Sequence, residues 1–563
     1  MSDTTVLEEP GEGPNTGRAL RVRARARALV PGLLVPLIVA AGLGIVGFLV
    51  WAAVSPGVWH DDGAYLLLGK SLADGEGLRY SQVPGSLPGA KFPPLYPLFL
   101  ALLWKITPGA VGQGSLAATF NVVFVAASGG MFVAYLRMLN FSWRSSIVTA
   151  VLFWLLPDLW RLALVPLSEP LFLVTLVAAL WTGSRLEAQP TWRRLAEFLA
   201  VFALAYHTRT MGLAMGIAVP LALLMRGRMA WALRSAACSA LIIAPWMFWS
   251  SGAASAIPAP LRDTLGPYAG WLSGQAGGEG GYFGVMGARA LTLAGQIVGL
   301  FFPGTEGWNA VLAGVIMGGA LILGVRRLSA QTWTPILTAA LLMGMLWLWP
   351  YQEIRLTMPL IPVLGMVMVA GFRPEAERLT RGIVVDGARP DPVTFLVGIM
   401  GLAWILALGS ASVIALAGGR HVEPLRVREL MLARAVQAVE ERVPPTGVVG
   451  APELWAGLAL HTGRRVAPSA RFRLDGEGPI WGTPSEQFAV WSAAEIEYVV
   501  LENAGVVHQE ALDELVSRCP GAVQVLASWA GGWLVRLDWD DTCRASVVPG
   551  AVPGAVPGAV PGA

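Results

Sequence analysis

The densest group of side chains that could do chemistry follows directly on an apolar run: Trp59-His60-Asp61-Asp62-Gly63-Ala64-Tyr65. Two adjacent carboxylates just past a stretch long enough to cross a bilayer are suited to orienting a hydroxyl, or removing its proton, beside a lipid-borne donor. A second group, Lys91-Phe92-Pro93-Pro94-Leu95-Tyr96-Pro97-Leu98, comes after a glycine-rich turn. Farther along, Glu169, Arg209 and Arg355 stand singly at the ends of other apolar runs. Lys91, Arg209 and Arg355 map to the same membrane boundary as the paired acids, where long cationic side chains can meet a lipid phosphate. Asp61 is the candidate base and Asp62 the positioning acid. Lys91, Tyr96, Glu169, Arg209 and Arg355 are the candidate substrate contacts, with Glu169 holding one of these cations or the group transferred.

Each of these has a plainer reading. Paired acids suit the N-terminus of a following helix, and the three cations suit headgroup anchors. Glu169 has Arg161 as an alternative partner, and Asp158 suits a solvated loop. His60 and His207 raise the question of a metal beside Asp61, but no His-x-x-His spacing accompanies them, and they read as interfacial histidines. The residues assign no cofactor and leave a divalent metal open.

What must position these groups is membrane helix. The 563 residues are 55% hydrophobic and only 14% charged, against about a quarter charged in an ordinary globular chain, which excludes a soluble multidomain protein. A net charge of +3 gives no case for nucleic-acid binding. An ionisable group at the bilayer centre costs about 3 kcal/mol, so charge-free runs locate the spans. Leu29 to Trp59, Ile106 to Leu136, Ser235 to Leu261, Leu328 to Gln352 and Val393 to Gly419 are each long enough to cross. Shorter runs at Ser145 to Pro157, Pro170 to Ser184, Phe198 to Thr208, Thr210 to Met225, Gly307 to Val325 and Leu356 to Phe372 bring the expected total to about eleven. Ala290 to Thr305 reads as a helix lying at the outer interface. The expected fold class is mainly α, a polytopic transmembrane bundle.

Arg18, Arg21, Arg23, Arg25 and Arg27 precede the first span with no acid between them, which places the N-terminus in the cytoplasm. An odd span count then puts everything after Gly419 outside. The expected organisation is a disordered cytoplasmic tail at 1–28, a membrane domain at 29–419 with an exterior loop at 55–105, an extracytoplasmic α/β domain at 420–545, and a disordered Val-Pro-Gly-Ala repeat at 546–563. No cleavable signal peptide is expected, because the first apolar run is too long. Cys238 lies in a span and reads as a small hydrophobe. Cys519 and Cys543 share the exterior domain, where they form either a disulfide or two free thiols.

The first-loop pattern resembles that of the GT-C glycosyltransferases, in the branch of protein mannosyltransferases and lipid A aminoarabinose transferases. Its two halves are an acid-acid-Gly-x-Tyr start to an amphipathic helix and the Pro93-Pro94-Leu95-Tyr96-Pro97 segment. Three further elements occur in that family's order: Ser168-Glu169-Pro170-Leu171-Phe172, Thr208-Arg209-Thr210-Met211-Gly212, and Arg355-Leu356-Thr357-Met358-Pro359-Leu360-Ile361-Pro362. One departure is Asp62, where many relatives carry Glu. The resemblance implies a bacterial cell-envelope enzyme of the cytoplasmic membrane. It would transfer a hexose or pentose, with inversion, from a polyprenyl-phosphate donor to a lipid, glycan or protein acceptor outside that membrane. The rival readings are a membrane transporter or lipid flippase, and an inactive scaffold of the same fold. Transporters place ionisable groups near mid-membrane and often show repeated halves, and neither feature is visible here.

Overall fold

The computed structural model describes residues 14–268, 281–349, 354–381, 392–470, 472–475, 478–481, 483–502, 506–538 and 540–547. The Val-Pro-Gly-Ala repeat, expected to be disordered, lies outside the described residues. Ten helices open the chain: α1 (Pro14–Leu49), α2 (His60–Ala73), α3 (Leu95–Ile106), α4 (Ala110–Met138), α5 (Trp143–Trp154), α6 (Pro157–Ala163), α7 (Glu169–Ala188), α8 (Trp192–Thr208), α9 (Leu213–Met225) and α10 (Met229–Ala253). Helices Gly281–Phe301, Gly307–Ser329, Thr334–Leu348, Leu360–Arg381 and Pro392–Ala417 follow before the C-terminal part. The tail expected to be disordered to residue 28 is helical from Pro14, in keeping with the good helix formers Arg, Ala and Leu that fill it.

The chain is a multi-pass membrane protein. Six of the described helices are long and apolar enough to cross a bilayer, and the bent pair α5–α6 makes a seventh if it is one span. The sequence led to an expectation of about eleven. Every one of those runs overlaps a helix, but a charge-free run and its helix differ in extent. The run from Leu328 includes the turn that precedes Thr334, and α8 carries Arg193, Arg194 and Glu197 in its first two turns. The α5–α6 axis bends by 62° where Pro157, having no N–H to donate, starts a new helix.

One buried carboxylate fixes the face opposite the first loop. Glu187, at the end of α7, accepts from Arg226 Nε (3.0 Å), Thr332 Oγ1 (2.6 Å), the Trp333 N–H (2.8 Å) and the Thr334 N–H (3.0 Å). The first N–H groups of helix Thr334–Leu348 have no partner within that helix, and Glu187 supplies one from a neighbouring helix.

The first loop is more deeply buried than its sequence led us to expect. Helix α2, read as amphipathic, has Leu66, Leu67 and Leu68 all fully buried, because it is covered by α3 on one side and by the C-terminal part on the other. Strands β1 (Arg79–Tyr80) and β2 (Leu87–Pro88) pair as a small hairpin between α2 and α3. In the C-terminal part, helix Glu423–Arg442 is followed by β3 (Val449–Ala451), helix Trp455–Thr462, β4 (Val466–Pro468), β5 (Phe472–Asp475), β6 (Gly478–Trp481), helix Pro484–Ala493, β7 (Tyr498–Glu502), helix Val506–Arg518, β8 (Val523–Trp529) and β9 (Gly532–Leu537). The main sheet runs β4-β3-β7-β9-β8, with β3 parallel to β4 and β7 and with β9 antiparallel to its neighbours. Cys519 and Cys543 are joined as a disulfide, their Cα atoms 5.8 Å apart.

Docking of this α/β unit onto the first loop depends on glycine. Gly57 has φ +86°, and a Cβ there would lie 2.4 Å from the Gly457 Cα. No other residue fits that approach. His461 and His421 add ring-to-backbone bonds of 2.9 Å to the Pro56 and Val50 carbonyls.

Candidate active site

The start of α2 separates its two acids. Asp62, fully buried, accepts the Gly57 N–H at Oδ2 and the Trp59 N–H at Oδ1, both at 2.8 Å. It therefore caps the helix and fixes the loop that touches the C-terminal unit, and it lines neither of the cavities described below. Burial pushes its carboxyl up to about 7, against the pull of the Gly57, Gly63 and Trp59 amides. The positioning role expected for Asp62 is corrected to this extent: it positions backbone. Asp61 faces the other way and meets Arg355 Nη2 at 2.6 Å. Burial alone would raise the Asp61 carboxyl, but Arg355, Lys91 and His60 outweigh it and hold it well below the usual carboxylate range. His60 Nδ1 accepts from Trp455 Nε1 at 3.1 Å, and burial, with help from Lys91, lowers the imidazole to about 4.

Three other segments bring their charges to Asp61, each for a local reason. Pro170 sits in the first turn of α7, where its missing N–H costs nothing, and Glu169 stands beside it at the positive end of the helix. Arg209 has left the helix, with φ −149° and ψ 139°, and the chain turns through Thr210–Gly212 into α9. A Cβ on Gly212 would lie 2.7 Å from the Tyr206 amide nitrogen, which accounts physically for the glycine of Thr-Arg-x-x-Gly. Arg355 belongs to the short helix Ile354–Thr357. The result is a chain of ion pairs. Glu169 Oε1 lies 2.8 Å from Arg209 Nη1 and 3.7 Å from Arg355 Nη1, and Arg355 reaches on to Asp61. Arg209 Nη1 also donates to Ser168 Oγ at 3.1 Å, which shares a 2.8 Å bond with the Tyr65 hydroxyl. Arg161, the alternative partner for Glu169, pairs instead with Asp158 at 2.6 Å.

Two cavities meet at this cluster. One, about 330 Å³, is walled mainly by apolar side chains, among them Phe92, Met211, Trp246, Met247 and Met345. The other, about 120 Å³, is the more polar of the two, with His60, Asp61, Asp263, Arg355, Arg428 and Glu453 in its lining. Lys91, Arg209, Tyr268, Trp349 and Leu356 belong to both walls. Lys91 Nζ lies 5.7 Å from the Tyr268 ring centroid and 5.5 Å from that of Phe92. Asp61, Lys91, Glu169, Arg209 and Arg355 are thus drawn together from five segments. Tyr96, expected as a substrate contact, is not among the lining residues: it is fully buried behind Tyr65, ring centroids 5.0 Å apart. Its place in the Pro-Pro-Leu-Tyr-Pro segment is that of a support for the side chain in front. Among the described residues no three His, Cys, Asp or Glu side chains gather closely enough to hold a metal ion.

Sequence reasoning missed Arg428 and Glu453, which come from the C-terminal unit, and Tyr268 and Trp349, which shape the junction. No local pattern marks them.

No protein-family model matches the chain, and no curated protein matches it in sequence. Solved structures do match. ArnT from Cupriavidus metallidurans in the apo state superposes with a TM-score of 0.53 at 13% identity, covering 91% of this chain and 98% of that one. The same protein bound to undecaprenyl phosphate gives 0.52 at 14% identity, covering 92% and 99%. The oligosaccharyltransferase of Archaeoglobus fulgidus in its apo form gives 0.51 at 12% identity, covering 83% and 69%. At these identities the likeness establishes the fold, and the chain has the fold of the GT-C membrane glycosyltransferases.

Proposed function

We propose that the protein is a glycosyltransferase that moves a sugar from a polyprenyl-phosphate carrier to an acceptor hydroxyl at the outer face of the cytoplasmic membrane. The observation that carries this is the ion-pair chain Asp61–Arg355–Glu169–Arg209 set where an apolar cavity and a polar chamber meet. The apolar cavity suits the first isoprene units of a lipid, the arginines and Lys91 its phosphate, and the polar chamber its sugar. The undecaprenyl phosphate bound to ArnT, which shares the fold, supports the same reading.

The step is a single displacement. The acceptor oxygen bonds to the anomeric carbon while the bond from that carbon to the phosphate oxygen breaks. The electron pair leaves with the polyprenyl phosphate, the acceptor proton goes to Asp61, and the anomeric configuration inverts. Lys91, Arg209 and Arg355 stabilise the charge that grows on the leaving phosphate. Asp61 remains ionised in the resting enzyme because Arg355 lies against it, and that arginine is freed for phosphate only when donor arrives. Release of undecaprenyl phosphate from undecaprenyl-phosphate-linked sugars, assayed with purified protein and bacterial envelope extract as acceptor source, tests the proposal. If no sugar-bearing lipid is consumed, the reading fails.

The orientation proposed is N-terminus inside, with the Asp61 face and the α/β unit outside. In a Cys238→Ser background, Ser485→Cys is expected to react with an impermeant maleimide on intact cells, and Thr16→Cys only after lysis. The reverse labelling order would place the site on the cytoplasmic side.

A further inference from the structure

We infer that Arg428 and Glu453 of the C-terminal unit recognise the donor's sugar, and that this sugar is neutral and polyhydroxylated; the inference rests on the lipid-phosphate reading above. The two side chains sit in the wall of the polar chamber, joined by a 3.2 Å bond from Arg428 Nη1 to Glu453 Oε2. Both remain partly open, with 37% and 39% of their side-chain surfaces accessible, so a ligand can reach them without unfolding the wall. With the phosphate at Lys91, Arg209 and Arg355, a sugar hung from it enters the chamber next to Asp61 and reaches this pair.

The chemistry of the pair selects the ligand. An arginine beside a glutamate offers a donor fork and an acceptor at neighbouring points, the pattern that two adjacent hydroxyls satisfy. A sugar bearing an amine or a carboxylate would draw one member of the Arg428–Glu453 ion pair away from the other, whereas hydroxyls can use both without parting them. Trp59, the chamber ring that Arg428 approaches, already has the guanidinium groups of Arg161, Arg355 and Arg428 at 5.8, 5.7 and 6.0 Å from its centroid, so a sugar beside the pair meets cations at that ring. Beside the pair, hydrogen bonding through Arg428 and Glu453 therefore carries the discrimination. The pair is also held in place. Trp455, two residues after Glu453, bonds to His60, and Ser55 donates to Glu429 at 2.7 Å, next to Arg428.

The test measures binding of detergent-solubilised full-length protein to undecaprenyl phosphate alone and to the same lipid carrying glucose, mannose, arabinose or 4-amino-arabinose. For the native chain, at least one neutral sugar lipid should bind about tenfold or more tighter than the bare lipid and the amino-sugar lipid. Glu453→Gln and Arg428→Gln should each remove about tenfold of that advantage, the effect of losing a hydrogen bond to a charged group, and leave bare-lipid affinity within about twofold. Equal loss for bare and sugar-bearing lipids would make the pair structural and overturn the inference. So would an advantage that survives both substitutions, or a native chain that prefers no neutral sugar, and in each of these cases the lipid-phosphate site would still stand. A native chain that binds no undecaprenyl phosphate in any form overturns the proposed function itself.

Discussion

Asp61→Asn will fold and insert as the native chain does and will release undecaprenyl phosphate about 10²- to 10⁴-fold more slowly, the span expected for removing a positioned base. The amide keeps the shape of the carboxylate and can still accept a bond from Arg355, but it cannot take the acceptor's proton. Arg355 retains Glu169 as a partner, so the cluster keeps its architecture. The native pH profile carries the same information. Arg355 and Lys91 hold Asp61 well below the usual carboxylate range, and burial holds His60 near 4. Neither group changes charge between about pH 5 and pH 8, so a change in turnover inside that window reports Asp62, which burial raises to about 7 where it caps the start of α2, and the limb that belongs to Asp61 lies in stronger acid. Full turnover by the asparagine variant would assign the base to another group, as would an acid limb between pH 8 and pH 6 that persists in Asp62→Asn.

How far this site was legible in the sequence depends on whether a residue's role is set by its neighbours along the chain. Asp61 could be found because its chemistry is advertised by position: an acid just past a long apolar run has few roles. Arg209 could be found because the reason for its motif is local, a chain that turns back so sharply that only Gly212 clears Tyr206. Asp62 could not be told from Asp61, since adjacent helical residues point about 100° apart and only the fold decides which of them meets the cavity. Tyr96 shares that ambiguity, and burial behind Tyr65 settles it. Arg428 and Glu453 were invisible for a different reason. They are brought to the chamber by the docking of a unit that begins at Glu423, through the Gly57–Gly457 approach, and no spacing within either segment encodes that contact. The same holds for span counting: a charge-free run marks where the chain lies in the membrane but not where its helices turn, so Leu328 to Gln352 read as one crossing although its helix begins only at Thr334.

The two arginines that join the cavities should fail in distinguishable ways. Arg209→Ala and Arg355→Ala each remove a cation from the proposed phosphate cradle. Each should slow release of undecaprenyl phosphate by the equivalent of about 2–4 kcal/mol of transition-state stabilisation, measured per folded molecule. If these side chains serve only as anchors at the membrane surface, the variants would instead show lower yield with nearly unaltered turnover. Arg355→Ala has a second consequence that Arg209→Ala lacks. Arg355 stands 2.6 Å from Asp61 and is the strongest of the groups that lower its carboxyl, whereas Arg209 touches Glu169 and Ser168. Removing Arg355 leaves the effect of burial less opposed, and burial raises a carboxyl. The sign is therefore upward: the acidic limb of the residual activity should move to higher pH in Arg355→Ala and stay where it was in Arg209→Ala. Identical limbs in the two variants would mean that Asp61 does not carry the titration, whatever the size of the rate losses. A shift confined to Arg355→Ala would tie the base and the phosphate cradle together through one guanidinium.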